Sequence, residues 1–429
     1  MGRFEKTKKI FIHTHSCKLR YLDATRISEY FSRNNYEIVN KPKDADIIFF
    51  LTCGAFDHLA NESLRMVKEF KKYDAELIVG GCLPEIEKEK LGKIFNGRTI
   101  NTKDLDKDPD KMDDLFPENI IKFRDIDDAN TSYANINEGQ LTGGIKNILR
   151  NVKWMENIFI KVQEQLFKTI YGKNSFFYHI ILDEPMYRMR ISWGCNSNCS
   201  YCGIRMAIGA HKSKPLEKVL EEFRNGLNNG HKHFMMNADD IGAYGTDIGS
   251  SFPELLDKMT NISGDYFISI ANLSPRWLIK NIDYFEKIIK RKKIIRIGVP
   301  LQSGSNRILK LMNRFHDKDK IKEGILRLKT AFPKLSLHTH IIVGFPTETD
   351  EEFKQTLSFI KECKLSAGQL MPFSSKTGSE AELIEPKVPK EEINRRLIYA
   401  KKFFKKEGYK VVYKTEGRTF LFDKLDYNA

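Results

Sequence analysis

The chain has 429 residues, 41% apolar and 30% charged, a balance that suits a folded chain of two or three domains at about 150 residues each. Lys plus Arg number 71 against 57 Asp plus Glu, and the net charge of +14 suits an anionic partner such as RNA or, equally, a solvated Lys-rich surface. No apolar run approaches the ~18 residues of a membrane span, and the opening MGRFEKTKKIFIH lacks the apolar stretch of a secretory signal. A cytoplasmic protein without membrane contact is therefore expected.

In chain order, residues 8–16 (KKIFIHTHS), 45–53 (ADIIFFLTC) and 76–82 (ELIVGGC) read as strands. Helical patterns follow them at 23–35, 58–73 and from Pro84. The alternation predicts a parallel sheet, which binds ligands beyond the carboxyl ends of its strands. Cys17, Cys53 and Cys82 each fall at such an end, so residues far apart in sequence converge. Small buried core residues would have no reason to share that position.

Over 101–183 the alternation fades. Residues 104–114, rich in Asp, Lys and Pro, read as a linker, and 125–144 as a polar loop. Residues 145–171 read as a basic amphipathic helix with Trp154, Ile158, Val162 and Phe167 near one face, more a packing helix than a partner-binding one.

From Tyr187 the alternation resumes, with strands at 187–192, 233–237, 267–272, 294–301, 336–345 and 368–373. Helices lie between them at 215–230, 252–261, 275–289, 320–332 and 350–363, and a last helix spans 389–406. The fold class is α/β. A parallel-sheet domain (1–103) is followed by a linker with an extra helix (104–183), a partial (β/α)6 barrel (184–380), and a helix with a short hairpin-like tail (381–429). Such barrels place their chemistry at the carboxyl ends of the strands.

The first barrel strand runs into Trp193-Gly194-Cys195-Asn196-Ser197-Asn198-Cys199-Ser200-Tyr201-Cys202, a C-x3-C-x2-C loop. A structural zinc site wants four ligands. Three thiolates can instead hold an iron–sulfur cube and leave one iron open.

This loop after a first barrel strand resembles the radical S-adenosylmethionine (SAM) superfamily. The resemblance implies that the open iron chelates SAM and that one-electron reduction yields a 5′-deoxyadenosyl radical. The stretches HSCKLRYLDA, LTCGAFDHLANES, GGCLPE, DDIGAYGTDIG, VPLQSGS and IIVGFPTETDEEF together resemble the methylthiotransferases. That implies two 4Fe–4S clusters, one on Cys195, Cys199 and Cys202 for SAM, the other on Cys17, Cys53 and Cys82 for the inserted sulfur. It also implies an electron donor such as a flavodoxin or ferredoxin, and a sulfur source. No catalytic residue is assigned beyond the cluster ligands.

Asp239 and Asp240, after the second barrel strand, are candidates to accept hydrogen bonds from the SAM ammonium, with a helix cap or solvated turn as the alternative. Gln302 and Ser303 end the fourth strand and are candidates for SAM polar groups. Gly344, with Pro346 and Glu348, matches a loop near the adenosyl group in the wider superfamily, or a plain strand–turn–helix. Arg205 follows the cluster loop and could neutralise cluster or SAM charge. His13 and His15 read as polar contacts beside Cys17, His338 and His340 as a pair on one strand face, and Cys363 as core.

Four features depart from the resemblance: about twenty residues follow the last helix where methylthiotransferases carry an RNA-binding barrel, 101–183 is longer than the usual linker, Ser16 and Arg20 replace the more usual Gly and Asn, and Ile208-Gly209 replaces Arg-Gly. The first of these tilts the expected substrate toward a peptide or protein side chain, which the extra helix could help hold. A modified tRNA adenosine is the alternative, supported by the charge and by DDIGAYG, which is closest to the threonylcarbamoyladenosine-type subgroup. Two rivals are a non-catalytic iron–sulfur or RNA-binding protein, and a radical SAM enzyme of another reaction with structural N-terminal cysteines.

Overall fold

A computed structural model describes residues 7–130, 186–414 and 419–424. The helix expected over 145–171 lies outside the described residues.

Strands β1 (Lys9–Thr14), β2 (Glu37–Ile38), β3 (Ile47–Thr52), β4 (Glu76–Gly81) and β5 (Thr99–Asn101) form a parallel sheet ordered β2-β1-β3-β4-β5. The unbroken apolar run of β3 arises because both faces are covered. Ile47, Phe49 and Leu51 join Ile10, Ile12 and Ile78 in one core, while Ile48 and Phe50 join Phe11, Leu77 and Val79 in the other. Helix Lys18–Arg33 seals the first core through Ala24, Ile27 and Phe31, and helix Asp57–Phe70 seals the second through Ala60 and Val67. The two helices leave on opposite faces, so a crevice opens between the ends of β1 and β3, where such sheets bind ligands.

The linker expected at 104–114 is instead part of this domain. Helices Thr102–Lys107 and Asp110–Leu115 bring Leu105 and Met112 into the first core, and Phe116, Phe123 and Ile126 complete it. Buried Asp113 accepts hydrogen bonds from the Tyr30 hydroxyl (3.0 Å) and the Phe123 N–H (3.1 Å). The Asp- and Lys-rich composition hid a few irregularly spaced apolar anchors.

The second sheet has six parallel strands, β6 (Tyr187–Arg190), β9 (His233–Asn237), β10 (Phe267–Ile270), β11 (Ile294–Gly298), β12 (Ser336–Val343) and β13 (Ala367–Pro372). A short antiparallel pair, β7 (Ser192–Trp193) with β8 (Lys212–Ser213), clips together the two ends of the cysteine loop. The helix expected over 275–289 breaks into Pro275–Lys280 and Ile282–Ile289 at Asn281, whose side chain donates to Trp277 O (3.1 Å) and competes with the helical ladder. Beyond β13, strands β14 (Lys410–Lys414) and β15 (Thr419–Asp423) extend the sheet antiparallel, under helix Lys390–Lys406, where Phe404 stacks on Phe422. Among the described residues no helix is long and apolar enough to cross a membrane.

Candidate functional site

Cys17 is exposed at the N-terminal end of the sixteen-residue helix Lys18–Arg33. Cys53 follows β3 and Cys82 follows β4, both buried. The Cys53 N–H donates to Ser63 Oγ (3.1 Å), and that hydroxyl donates back to Cys53 O (3.2 Å). Cys82 Sγ lies 3.4 Å from Thr102 Oγ1. Burial pushes the Cys82 thiol up to about 12; Arg20 opposes the rise, and Cys17 and Cys53 add to it. The crevice therefore gathers three sulfurs that feel one another's charge. A bare thiol shifted as Cys82 is would be inert, whereas a bound cation would deprotonate it outright.

The second trio sits on the loop clipped by β7 and β8. Gly194 has φ +70°, and a Cβ there would lie 2.1 Å from Ala210 O, so only glycine makes the turn. Its N–H donates to Asp239 Oδ2 (2.8 Å), and the Cys195 N–H donates to Gly209 O (3.0 Å). The turn at 311–314 braces the loop. Ser200 donates through N to Met312 O (3.1 Å) and through Oγ to Leu311 O (2.7 Å), and Asn313 Nδ2 donates to Asn198 O (2.8 Å). Burial first, then Asp240, pushes Cys195 up to about 11; burial also raises Cys202.

Among the described residues no three His, Cys, Asp or Glu side chains stand close enough for a single metal ion. A four-iron cube is larger than one ion and holds its thiolates further apart. Two trios whose members are all cysteines suit such a cube rather than a structural zinc, which wants four ligands.

The two trios adjoin. Cys82 and Ile86 share an apolar cluster with Ala207, just beyond Cys202. Buried Lys376 places its ammonium 2.9 Å from Asp57 and 3.6 Å from Glu87, both of the N-terminal domain, while its stem packs on Gly203. Buried Arg190 of β6 reaches Asp23 (2.6 Å) and Leu19 O (2.8 Å), and Arg20 also pairs with Asp23 (2.7 Å).

The candidate SAM residues divide. Asp239 is half-buried with one oxygen on the cysteine loop. The Asp240 carboxylate is engaged by Trp277 Nε1 (3.0 Å), Arg276 Nη2 (3.1 Å) and Ser197 Oγ (3.1 Å). Gln302, at the barrel mouth, holds φ +72° with a buried Oε1 that has no protein partner, the kind of outlier that accompanies ligand sites. Ser303 is buried, and its hydroxyl accepts from the Ser305 N–H (3.2 Å). Gly344, at φ +79°, donates to Glu348 Oε2 (2.7 Å), and a Cβ there would meet Ile393 at 2.3 Å, so it serves close packing of the last helix. Arg205 is exposed, donates to Asn198, and borders a cleft of about 60 Å³ lined also by Cys199, Cys202, Met206 and Gly378.

His13 packs among Phe11, Phe50 and Phe70, and burial lowers it to about 4. His338 and His340 lie with ring centroids 6.3 Å apart, and burial lowers His340 to about 4. Cys363 is core at the end of helix Asp350–Glu362. Sequence reasoning missed Arg276, Trp277, Arg314 and Lys376, because no motif spacing ties them to a cysteine.

Residues 189–360 match the radical SAM superfamily, and residues 9–100 match the family described as uncharacterized protein family UPF0004. A probable threonylcarbamoyladenosine tRNA methylthiotransferase of Methanocaldococcus jannaschii is 26% identical over 96% of this chain and 89% of its own. The ribosomal protein uS12 methylthiotransferase RimO of Thermodesulfovibrio yellowstonii is 27% identical over 91% and 80%. A tRNA-2-methylthio-N(6)-dimethylallyladenosine synthase of Fusobacterium nucleatum is 26% identical over 94% and 86%. Among solved structures, the radical SAM methyltransferase TsrM of Kitasatospora setae superposes with a TM-score of 0.57 at 8% identity, over 88% of this chain and 77% of that one, which shows a shared fold. With both domains matched in order and relatives of this kind along nearly its whole length, the chain belongs to the radical SAM methylthiotransferase family.

Proposed function

We propose that the chain inserts a methylated sulfur at an unactivated C–H bond, with a SAM-binding cluster on Cys195, Cys199 and Cys202 and a sulfur-bearing cluster on Cys17, Cys53 and Cys82. The observation that carries this reading is the adjacency of the two trios, through the packing of Cys82 and Ile86 on Ala207. On this reading a carbon activated at one trio receives the sulfur held at the other. When bound, a four-iron cluster with SAM supplies one-electron bond cleavage, chemistry that acidic and basic side chains do not provide. The chain's own residues hold the geometry. Gly194 turns the loop, the 311–314 turn braces it, and Lys376 ties it to the N-terminal domain. Asp239 and Gln302 are the groups with spare acceptors for the amino and polar groups of SAM. Turnover also needs an external one-electron donor and a sulfur source.

For substrate we infer tRNA. The net charge is +14, and Arg276 and Lys280 flank Trp277 beside the mouth of the barrel, at 4.8 and 5.2 Å from its ring, a cationic and aromatic surface suited to an unstacked base and its phosphates. Relatives named for tRNA modification support this. A protein side chain is the second reading, favoured by the similarity to RimO. The test is an anaerobic reaction with SAM, reductant and sulfide, offered bulk tRNA and ribosomal protein in parallel and read by mass. A methylthio group on a tRNA adenosine is expected. The same addition on protein alone would reverse the order, and 5′-deoxyadenosine without either product would remove the methylthiotransfer reading.

A further inference from the structure

Beyond the six cysteines, a cation touches a sulfur of the barrel loop directly. Arg314 donates from Nη1 to Cys199 Sγ at 3.5 Å and from Nη2 to Pro300 O at 2.8 Å. The guanidinium is thus pinned between the end of the β11 segment and the cysteine loop. Its neighbours on the 311–314 turn already hold that loop, through Ser200 and Asn198. The other charged groups at the loop have partners of their own. Asp240 is paired with Arg276, Asp239 accepts from Gly194, and Arg205 is bound to Asn198.

We propose that Arg314 is a positioning residue that sets the reduction potential of a cluster held by Cys195, Cys199 and Cys202. The inference rests on the reading that this trio binds a four-iron cluster. Reduction adds one negative charge. A charge-assisted N–H···S hydrogen bond and a fixed cation both favour the more negative state. Arginine does not lose its charge at any working pH, and in a half-buried position its field is weakly screened by salt. A cluster so placed accepts an electron from a weaker donor.

The test is a dithionite titration of the reconstituted full-length protein, followed by electron paramagnetic resonance. The signal of interest is identified as the one lost in Cys199→Ala. Arg314→Met should shift its midpoint negative by at least a tenfold change in the reduction equilibrium, 59 mV for one electron. Arg314→Lys, which keeps the charge but loses the pinned fork, should fall between. A Met variant that keeps the signal at the wild-type midpoint overturns the proposal. Should the Met variant fail to hold the cluster, a Lys variant at the wild-type midpoint overturns it as well. A wild-type protein with no signal sensitive to Cys199→Ala would instead overturn the cluster reading beneath it.

Discussion

Cys53→Ala removes one sulfur of the N-terminal trio and leaves the barrel loop untouched. The variant should still make 5′-deoxyadenosine from SAM and lose the methylthio product, as chromatography and mass of the two products would show. Equal product from the variant would reduce the N-terminal cysteines to structure. Asp240→Ala strips the partners from Trp277 Nε1 and Ser197 Oγ. It should lower stability by about 2 kcal/mol, measured as a lower urea midpoint, and should loosen the loop around Cys195. The six cysteines were legible because their positions repeat a pattern, either three strand ends or one tight spacing. Arg314 and Lys376 were not, since a lone cation in a sequence rich in Lys and Arg has no signature until the fold brings it to a sulfur or a carboxylate.

The strand ends do the positioning at the scale of elements. Gly81 closes β4 at φ +100°, and a Cβ there would lie 2.4 Å from Thr52 O, in the residue before Cys53. Gly81→Ala should therefore push the ends of β3 and β4 apart and cost iron at the N-terminal trio while sparing the barrel loop, which iron content and the Cys199-dependent signal would separate. Undiminished iron in this variant would show that the trio does not depend on that close approach. Long apolar strands and amphipathic helices were readable from periodicity, down to helix Phe252–Asn261. The segment 102–126 was not, because its core contacts come from scattered residues inside a polar composition. Helix Lys18–Arg33 starts earlier than its pattern suggests, and its start carried no sequence signal because Cys17 at its head gives no side-chain cap.

At the scale of the whole molecule, a buried ionic clasp joins the two domains. Asp128 lies 2.9 Å from Lys214 and 3.6 Å from Arg26, and Lys214 also holds Glu222 (2.8 Å). Burial alone would raise the Asp128 carboxyl, but Lys214, Arg190 and Arg26 outweigh it and hold it at about 2. The folded state thus keeps this group ionised to lower pH than the unfolded chain, whose value is 3.8. Its contribution, about 2 kcal/mol, is present above pH ~4 and is lost as pH falls through that value toward 2. Asp128→Asn should lower the urea midpoint at neutral pH and flatten the acid limb of the stability curve. An unchanged acid limb would place the clasp's stabilisation elsewhere.

Iron content reads out whether two separate thiol trios each hold a cube. The wild-type protein, reconstituted without oxygen, should saturate at ~8 irons per chain, at four per cube. A variant with Cys195, Cys199 and Cys202 all changed to Ala should keep ~4. A wild-type protein that saturates at ~4, or a triple variant that keeps none, would contradict the two-cube assignment.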